Sequence, residues 1–527
     1  MSNRDEGEHF DAVIIGSGFG GSINALRIAQ AGRSVLVLER GRRYLPGEFP
    51  RDVTQIDSVF WRYPQRKTAL GLYDVRFFSG IAAVAASGVG GGSLIYANIH
   101  IRPDAEVFDH PRWPAALSRE TLNPYYDRVQ SQLGVAPVPE DIPLVKRDLF
   151  RQAAKQMGRA IFDPDQAVRW ETPSAPGRKA CQLCTECEFG CQFGAKNTLD
   201  LTYLAQAEQL GAQVRPGCNV RSIEPVSGGY AVHFADTVTG APHCVTGTRV
   251  VVSAGTLGTN EILLRSRDNS RSLPALSPRL GKGYSGNGDF LGSLQNSRAD
   301  IEPWKGPDVT SVIRYPDPEL AFTMAAPSFN HPVMAVLASQ GQPGGAWLRP
   351  FAPLLWPLMP ALVPWLFRNG FVSRPARFKA PHAGDPSRMT NLFAIGRDNG
   401  NGEMKLKGDR LDVVWNYAHE NAALVAKMEA AMQEIGRQYG GTAAPLFVWN
   451  LFRRITTVHS LGGCHLSESP ETGVVSPEGE VHGYPGLFVA DGSVIPTSIG
   501  FHPVMTISAV SERIADAVVR SFPAHTV

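Results

Sequence analysis

Residues 10–16 (FDAVIIG) form a short apolar run closed by glycine, the pattern of a strand buried on both faces. A glycine turn follows, and then Ser22 to Gln30, whose alanine-rich content favours helix. A second apolar run, Ser34 to Leu38, ends at Glu39, so strand, turn, helix, strand and acid make one βαβ unit. Thr248 to Ala254 (TRVVVSA) repeats the buried-strand pattern, and after Gly255-Thr256-Leu257-Gly258 the sequence NEILLRS reads as helix. Residues 310–340 and 390–417 alternate apolar and polar positions as antiparallel strands do, most clearly at Leu411 to Trp415. Asn421 to Tyr439 has helical spacing. Near the end, Gly486 to Ala490 reads as a strand, and Thr506 to Phe522 as a helix interrupted by neither glycine nor proline.

The 527 residues are 43% hydrophobic and 19% charged, enough apolar material for a large core, which excludes wholesale disorder. Lys+Arg 51 against Asp+Glu 49 leaves +2, and no basic run suggests a nucleic-acid partner. With Gly 53 and Pro 40, the chain reads as a loop-rich enzyme rather than a bundle or coiled coil. The first ten residues are polar and lack the apolar stretch of a secretory leader, and four of the seven cysteines crowd between Cys181 and Cys191. A secreted disulfide framework would spread them, so the cytoplasm is expected. Pro350 to Phe367 carries no charge over 18 residues, near the length of a membrane span, yet contains five prolines. At about 3 kcal/mol for each interior proline, one spanning helix is disfavoured. A buried lid or a surface segment dipping into lipid is expected, which leaves peripheral membrane contact through 350–367 open.

The first glycine turn carries chemistry. Gly16 permits the tight turn, Gly18 lets backbone approach a pyrophosphate, and Gly21 lets helix and strand pack closely. The helix that follows offers free N–H groups and its positive end to the phosphate. Glu39, 23 residues after Gly16, is placed to accept from a ribose diol. The fingerprint opens the chain and a strand with Asp491-Gly492 returns at its end, an arrangement that points to FAD rather than NAD.

In these motifs the sequence resembles the glucose-methanol-choline (GMC) oxidoreductases, in their cholesterol-oxidase-like branch. The stretch from Phe10 to Gly41 looks like the family's FAD fingerprint, and Gly88-Val89-Gly90-Gly91-Gly92-Ser93-Leu94 like its second signature. Gly255 to Leu264 is similar to its second-strand motif, and His459-Ser460-Leu461-Gly462-Gly463-Cys464 to the histidine motif of cholesterol oxidases. Asp491-Gly492-Ser493 with Gly500-Phe501-His502-Pro503 is similar to the closing active-site motif. The resemblance implies an α/β chain, α+β overall, with a Rossmann-type FAD-binding domain interleaved with an antiparallel-sheet substrate-binding domain. The expected FAD-binding parts are 8–110, 201–290 and 451–527, the last also catalytic. Between them lie a cap region with the cysteines at 111–200 and a substrate-binding domain at 291–450. For the cofactor the resemblance implies Gly16, Gly18, Phe19, Gly20, Gly21, Glu39, Arg40, Gly88, Gly91, Gly92, Ser93, Asn98, Val220, Ala254, Gly255, Gly492, His502, Pro503 and Val504. It places Asp491 on the ribityl chain, and Pro503-Val504-Met505 opens a helix whose N–H groups suit a reduced flavin. His459 is implied as the base that takes the alcohol proton and His502 as its partner on the hydroxyl. Cholesterol oxidases usually have asparagine at the position of His502, where sugar-oxidising relatives often have histidine.

Cys181, Cys184, Cys187 and Cys191 are spaced C-x2-C-x2-C-x3-C, the ferredoxin run without its final proline. The spacing leaves open an iron–sulfur cluster, structural cysteines, reduced or disulfide-linked, and zinc. The expected activity is oxidation of a hydrophobic alcohol (sterol, terpene or long-chain) by hydride transfer to flavin N5, with O2 or another electron acceptor. A lyase or isomerase with structural FAD, and an electron-transfer dehydrogenase subunit with a cluster, stand as alternatives.

Overall fold

The computed structural model describes residues 7–52, 55–171, 177–329, 334, 346–368 and 385–523. Strand β1 (His9–Ile15) is followed by helix α1 (Phe19–Gln30) and β2 (Val35–Leu38). The first sheet adds β3 (Gln213–Arg215), β4 (Cys218–Val226), β5 (Gly229–Asp236) and β6 (Pro242–Val252). After helix α2 (Gly255–Leu264), strand β7 (Leu487–Val489) and helix α3 (Val504–Arg520) return to it from the C-terminal part of the chain. The strand order is β3-β2-β1-β6-β5-β4, with β7 on the far half of β6. Strand β1 pairs in parallel with both β2 and β6, and Ala12 to Ile15 are buried. Covered on both faces, such a strand is apolar throughout rather than alternating, as its sequence is.

Helix α1 packs along α3, and a buried carboxylate fastens them. Glu512 is fully enclosed and accepts from Arg27 at 2.8 Å, Arg128 at 3.2 Å and the Tyr203 hydroxyl at 2.8 Å. A buried charge so satisfied is tolerated, whereas removing one partner costs several kcal/mol. The fingerprint helix and the last helix therefore form one unit although they stand at opposite ends of the chain.

Among the described residues a second sheet has six strands, all antiparallel. Their order is Thr442–Pro445, Phe290–Gln295, Thr390–Gly396, Phe322–Ala325, Val312–Tyr315 and Ile161–Phe162. The helix Ala422–Gln438 lays Leu424, Met428, Met432 and Ile435 into the core beside it. A small sheet of Tyr73–Phe77, Ala82–Ala86 and Thr456–Thr457 leads the chain to His459.

One boundary differs from the sequence reading. Helix α2 begins at Gly255 rather than after Gly258, because the otherwise unpaired Gly255 N–H donates to the Asp491 carboxylate at 2.9 Å. Residues 346–368 form a chain of short helices, at 346–351, 352–355, 356–358 and 359–368. Pro353 and Pro357 stand in first turns, where a missing N–H costs nothing, so the prolines divide the helix without unwinding it. The segment docks by Ala352, Trp356 and Met359 on Phe452 and Ala82, and the Trp356 indole donates to Phe78 O at 2.7 Å. Among the described residues no helix is long and apolar enough to cross a membrane. Of the expected strands in 310–340, Val312–Tyr315 and Phe322–Ala325 are present, and 330–333 with 335–340 lie outside the described residues.

Candidate active site

Three glycine turns meet at the start of α1. A Cβ at Gly20 would lie 1.4 Å from Ala490 O, so only glycine lets α1 approach the chain between β7 and Asp491. The second run is pressed on the first: a Cβ at Gly91 would lie 2.6 Å from Gly18 Cα, and Gly90 N donates to Ser17 Oγ at 3.1 Å. Ser93 Oγ donates to Gly90 O and closes that run. Beyond β6, Ala254 N is held by Thr259 Oγ1 and Gly255 N by Asp491. At Gly18 and Gly255, by contrast, an added Cβ would meet nothing within 4 Å, and at Gly92 only the Phe19 ring edge at 4.0 Å. The N-terminus of α1, whose first N–H groups have no partner within the helix, thus faces an open cradle at Gly18 and Gly92, the arrangement that a dinucleotide pyrophosphate requires, and the residues present fit FAD.

Glu39 is buried at the end of β2, where Oε2 accepts from Ser17 N and Oγ and Oε1 accepts from Gly41 N. Val220 lies near it on β4, whose first residue, Cys218, donates its N–H to Glu39 O. The Arg40 guanidinium turns to Asp74 and Ala86 O over the Trp61 ring, so its side chain is committed to the small sheet. Asp491 is buried, which pushes its carboxyl above the usual range, and it accepts from Gly255 N, Thr259 Oγ1 and Ser493 N. Pro503 caps α3 and Val504 begins it.

The two histidines come together. Their rings are 5.2 Å apart at 78°, and Phe393 stacks on His459 at 5.5 Å. The histidine motif is pinned to the Asp491 turn by Gly462 N to Gly492 O (3.0 Å) and Cys464 N to Ser493 O (2.9 Å). One short turn, residues 285–289, positions both rings. Asp289, fully buried, receives His459 Nδ1 at 2.8 Å on one oxygen. Its other oxygen accepts from Thr457 Oγ1, Val458 N and His459 N. Asn287 Oδ1 accepts from Ile499 N and Gly500 N, and its amide donates to Phe501 O at 2.7 Å, which sets the loop before His502. Asp398 fixes the turn itself through Ser285 Oγ, Gly286 N and Gly288 N. His502 is buried beside His459, and both effects push its imidazole well below the usual range, so it is neutral. Its Nδ1 has no protein partner.

Asp289, Asn287 and Phe393 escape a reading of the sequence alone. Gly-Asn-Gly-Asp at 286–289 reads as an ordinary turn, and Asp289 stands 170 residues before His459.

The four clustered cysteines are free thiols and line one cavity with Asn98 and Lys196. Among the described residues no three His, Cys, Asp or Glu side chains are grouped so as to hold a metal ion.

The GMC oxidoreductase models match residues 10–282 for the N-terminal part and 406–511 for the C-terminal part. A cholesterol oxidase of Acinetobacter baumannii is 29% identical over 551 residues, covering 96% of this chain and 93% of its own. A long-chain-alcohol oxidase of Arabidopsis thaliana is 24% identical and covers 99% of this chain and 70% of its own. Among solved structures, pyridoxine 4-oxidase from Mesorbium loti superposes with a TM-score of 0.63 at 16% identity, over 96% of this chain and 98% of that one. A fungal aryl-alcohol oxidase superposes at 0.61, also at 16% identity, over 97% and 99%. With two family models spanning the glycine cradle and the histidine motifs, the chain belongs to the GMC oxidoreductases and is an FAD-dependent alcohol oxidase or dehydrogenase.

Proposed function

We propose that this enzyme oxidises the CH–OH group of a hydrophobic alcohol (a sterol, terpene or long-chain alcohol), with His459 as base and His502 as its partner. The observation that carries this reading is the Asp289–His459–His502 arrangement. Donation from His459 Nδ1–H to the buried Asp289 carboxylate leaves the Nε2 lone pair free to take a hydroxyl proton, and the carboxylate stabilises the imidazolium that results. His502, neutral and with Nδ1 unpaired, can hold the hydroxyl oxygen beside it. FAD, bound along Gly16 to Gly21, Gly88 to Ser93 and Asp491 to Val504, supplies the hydride acceptor. O2 or another acceptor would take the electrons from the bound flavin.

Two features support an apolar substrate. Phe393 stands against both imidazoles, at 5.5 Å from His459 and 6.1 Å from His502. The segment 346–368 turns Phe351, Leu354, Leu358, Leu362 and Trp365 outward, Leu354 with 73% of its surface exposed. Five such side chains at helical spacing form a face suited to lipid, where an apolar alcohol would be taken up. The relatives named for cholesterol and long-chain alcohols agree with this class.

The test is anaerobic mixing of the FAD-loaded enzyme with a panel of alcohols while the visible flavin band is followed. Bleaching by sterols or long-chain alcohols, and not by glucose, is expected. If photoreduction bleaches the flavin and no alcohol does, alcohol oxidation fails; if only sugars do, the hydrophobic class fails.

A further inference from the structure

The histidine site leaves unused the densest group of thiols in the molecule. Cys181, Cys184, Cys187 and Cys191 all line one cavity. The chain is bent to bring them there. Leu183 and Thr185, between consecutive cysteines, have φ of 56° and 52°, a left-handed conformation that side chains larger than glycine rarely adopt.

Two further observations point to an occupant. Asn98 is 0% exposed, borders the cavity, and neither its amide oxygen nor its nitrogen has a partner. Buried amides are ordinarily satisfied, so an orphaned one at a cavity wall marks a missing neighbour. Lys196, also in the lining and buried, donates to Leu94 O, Tyr96 O and Cys187 O, and buried Lys146 donates to Pro307 O close by. The two ammonium groups bring positive charge to the side of the four sulfurs, with Asp308, which accepts from Glu188 N, and Glu188 as the acids nearby.

The four thiols line this one space in the C-x2-C-x2-C-x3-C spacing of the ferredoxin run. We infer that Cys181, Cys184, Cys187 and Cys191 ligate a polynuclear iron–sulfur cluster in this cavity. Lys196 ties it to the backbone of Leu94 and Tyr96, directly after the glycine run that packs on Gly18, so the cluster adjoins the FAD cradle. This inference does not depend on the roles of His459 and His502.

The experiment is iron, acid-labile sulfide and zinc analysis of the full-length enzyme, purified without oxygen and reconstituted with ferrous iron and sulfide. Iron and sulfide are expected in near-equal amounts, with broad absorbance and a paramagnetic signal that persist after FAD is released. Cys184→Ser and Cys191→Ser should each lose most of the iron and sulfide while retaining FAD. Zinc without sulfide overturns the inference, as does reconstituted wild-type protein holding neither iron nor sulfide, whether its thiols are free or disulfide-linked. Should the variants fail to fold, the wild-type stoichiometry alone decides. Alcohol-dependent bleaching of the flavin is scored separately, so loss of the cluster and loss of the histidine mechanism give different results.

Discussion

Replacing Asp289 by asparagine tests the link between the buried turn and the base. The carboxylate accepts four hydrogen bonds, three of them on the oxygen facing Thr457, Val458 and His459 N. Asparagine keeps that oxygen and its shape, so the turn should hold. On the other side an NH2 group replaces the acceptor at 2.8 Å from His459 Nδ1. Two donors cannot share that contact, so His459 turns to the tautomer protonated at Nε2, which cannot accept a proton from the substrate. In the serine-protease triad the same aspartate-to-asparagine change costs about 10⁴ in rate. A loss of about 10³–10⁴ is expected here, about 4–5.5 kcal/mol of barrier. Asp289→Ala would add instability, since each buried donor left unpaired costs about 1–3 kcal/mol. The assay is anaerobic stopped-flow reduction of bound FAD by alcohol, with FAD content and melting temperature measured alongside. An Asp289→Asn enzyme that folds, holds FAD and is reduced within about tenfold of wild type, while His459→Asn is inactive, would refute the argument.

The glycine pair separates folding from cofactor binding: Gly20→Ala should fail to fold because its methyl meets Ala490 O, whereas Gly18→Ala should keep the apo-protein's melting temperature and weaken FAD binding in a flavin titration. Equal behaviour of the two would contradict the cradle. Stability should also fall with acid on account of His502. Its folded-state pKa is depressed below 6.5, so the unfolded chain takes up the proton first and stability is lost as pH drops through 6.5. One such group loses about 1.4 kcal/mol by about pH 5.5, and denaturant titrations of His502→Asn at pH 7.5 and 5.5 should show a pH difference smaller by that amount. On the exposed face of 346–368, Leu354→Asp with Leu358→Asp should lower sedimentation with phospholipid vesicles at least ~tenfold, since full burial of each leucine is worth about 1.5–3 kcal/mol. Unchanged sedimentation would remove this face from any lipid contact. Trp356→Ala should release the segment, read as faster proteolysis within 346–368, because it vacates the contact with Phe452 and the hydrogen bond to Phe78.

The local elements were legible because their causes are local. A run such as Ala12 to Ile15 is apolar on both faces wherever it pairs, and Gly21 is required by a contact with Gly16 O made within the same βαβ unit's turn. The helix at 422–438 and the strand at 410–414 follow from periodicity alone. The family was legible for a similar reason: its glycine runs and histidine motifs are written in consecutive residues. Tertiary structure decided what depends on distant segments meeting. The second sheet draws strands from 161–162 to 442–445, and no periodicity states their order. The proline segment stayed helical because Trp356 is anchored in a core that the segment itself does not encode. Above all, the orientation of His459 comes from Asp289, and the loop before His502 from Asn287. A carboxylate and an amide in a glycine turn become orienting groups only when folding brings them against residues 170 to 214 positions away and closes water out.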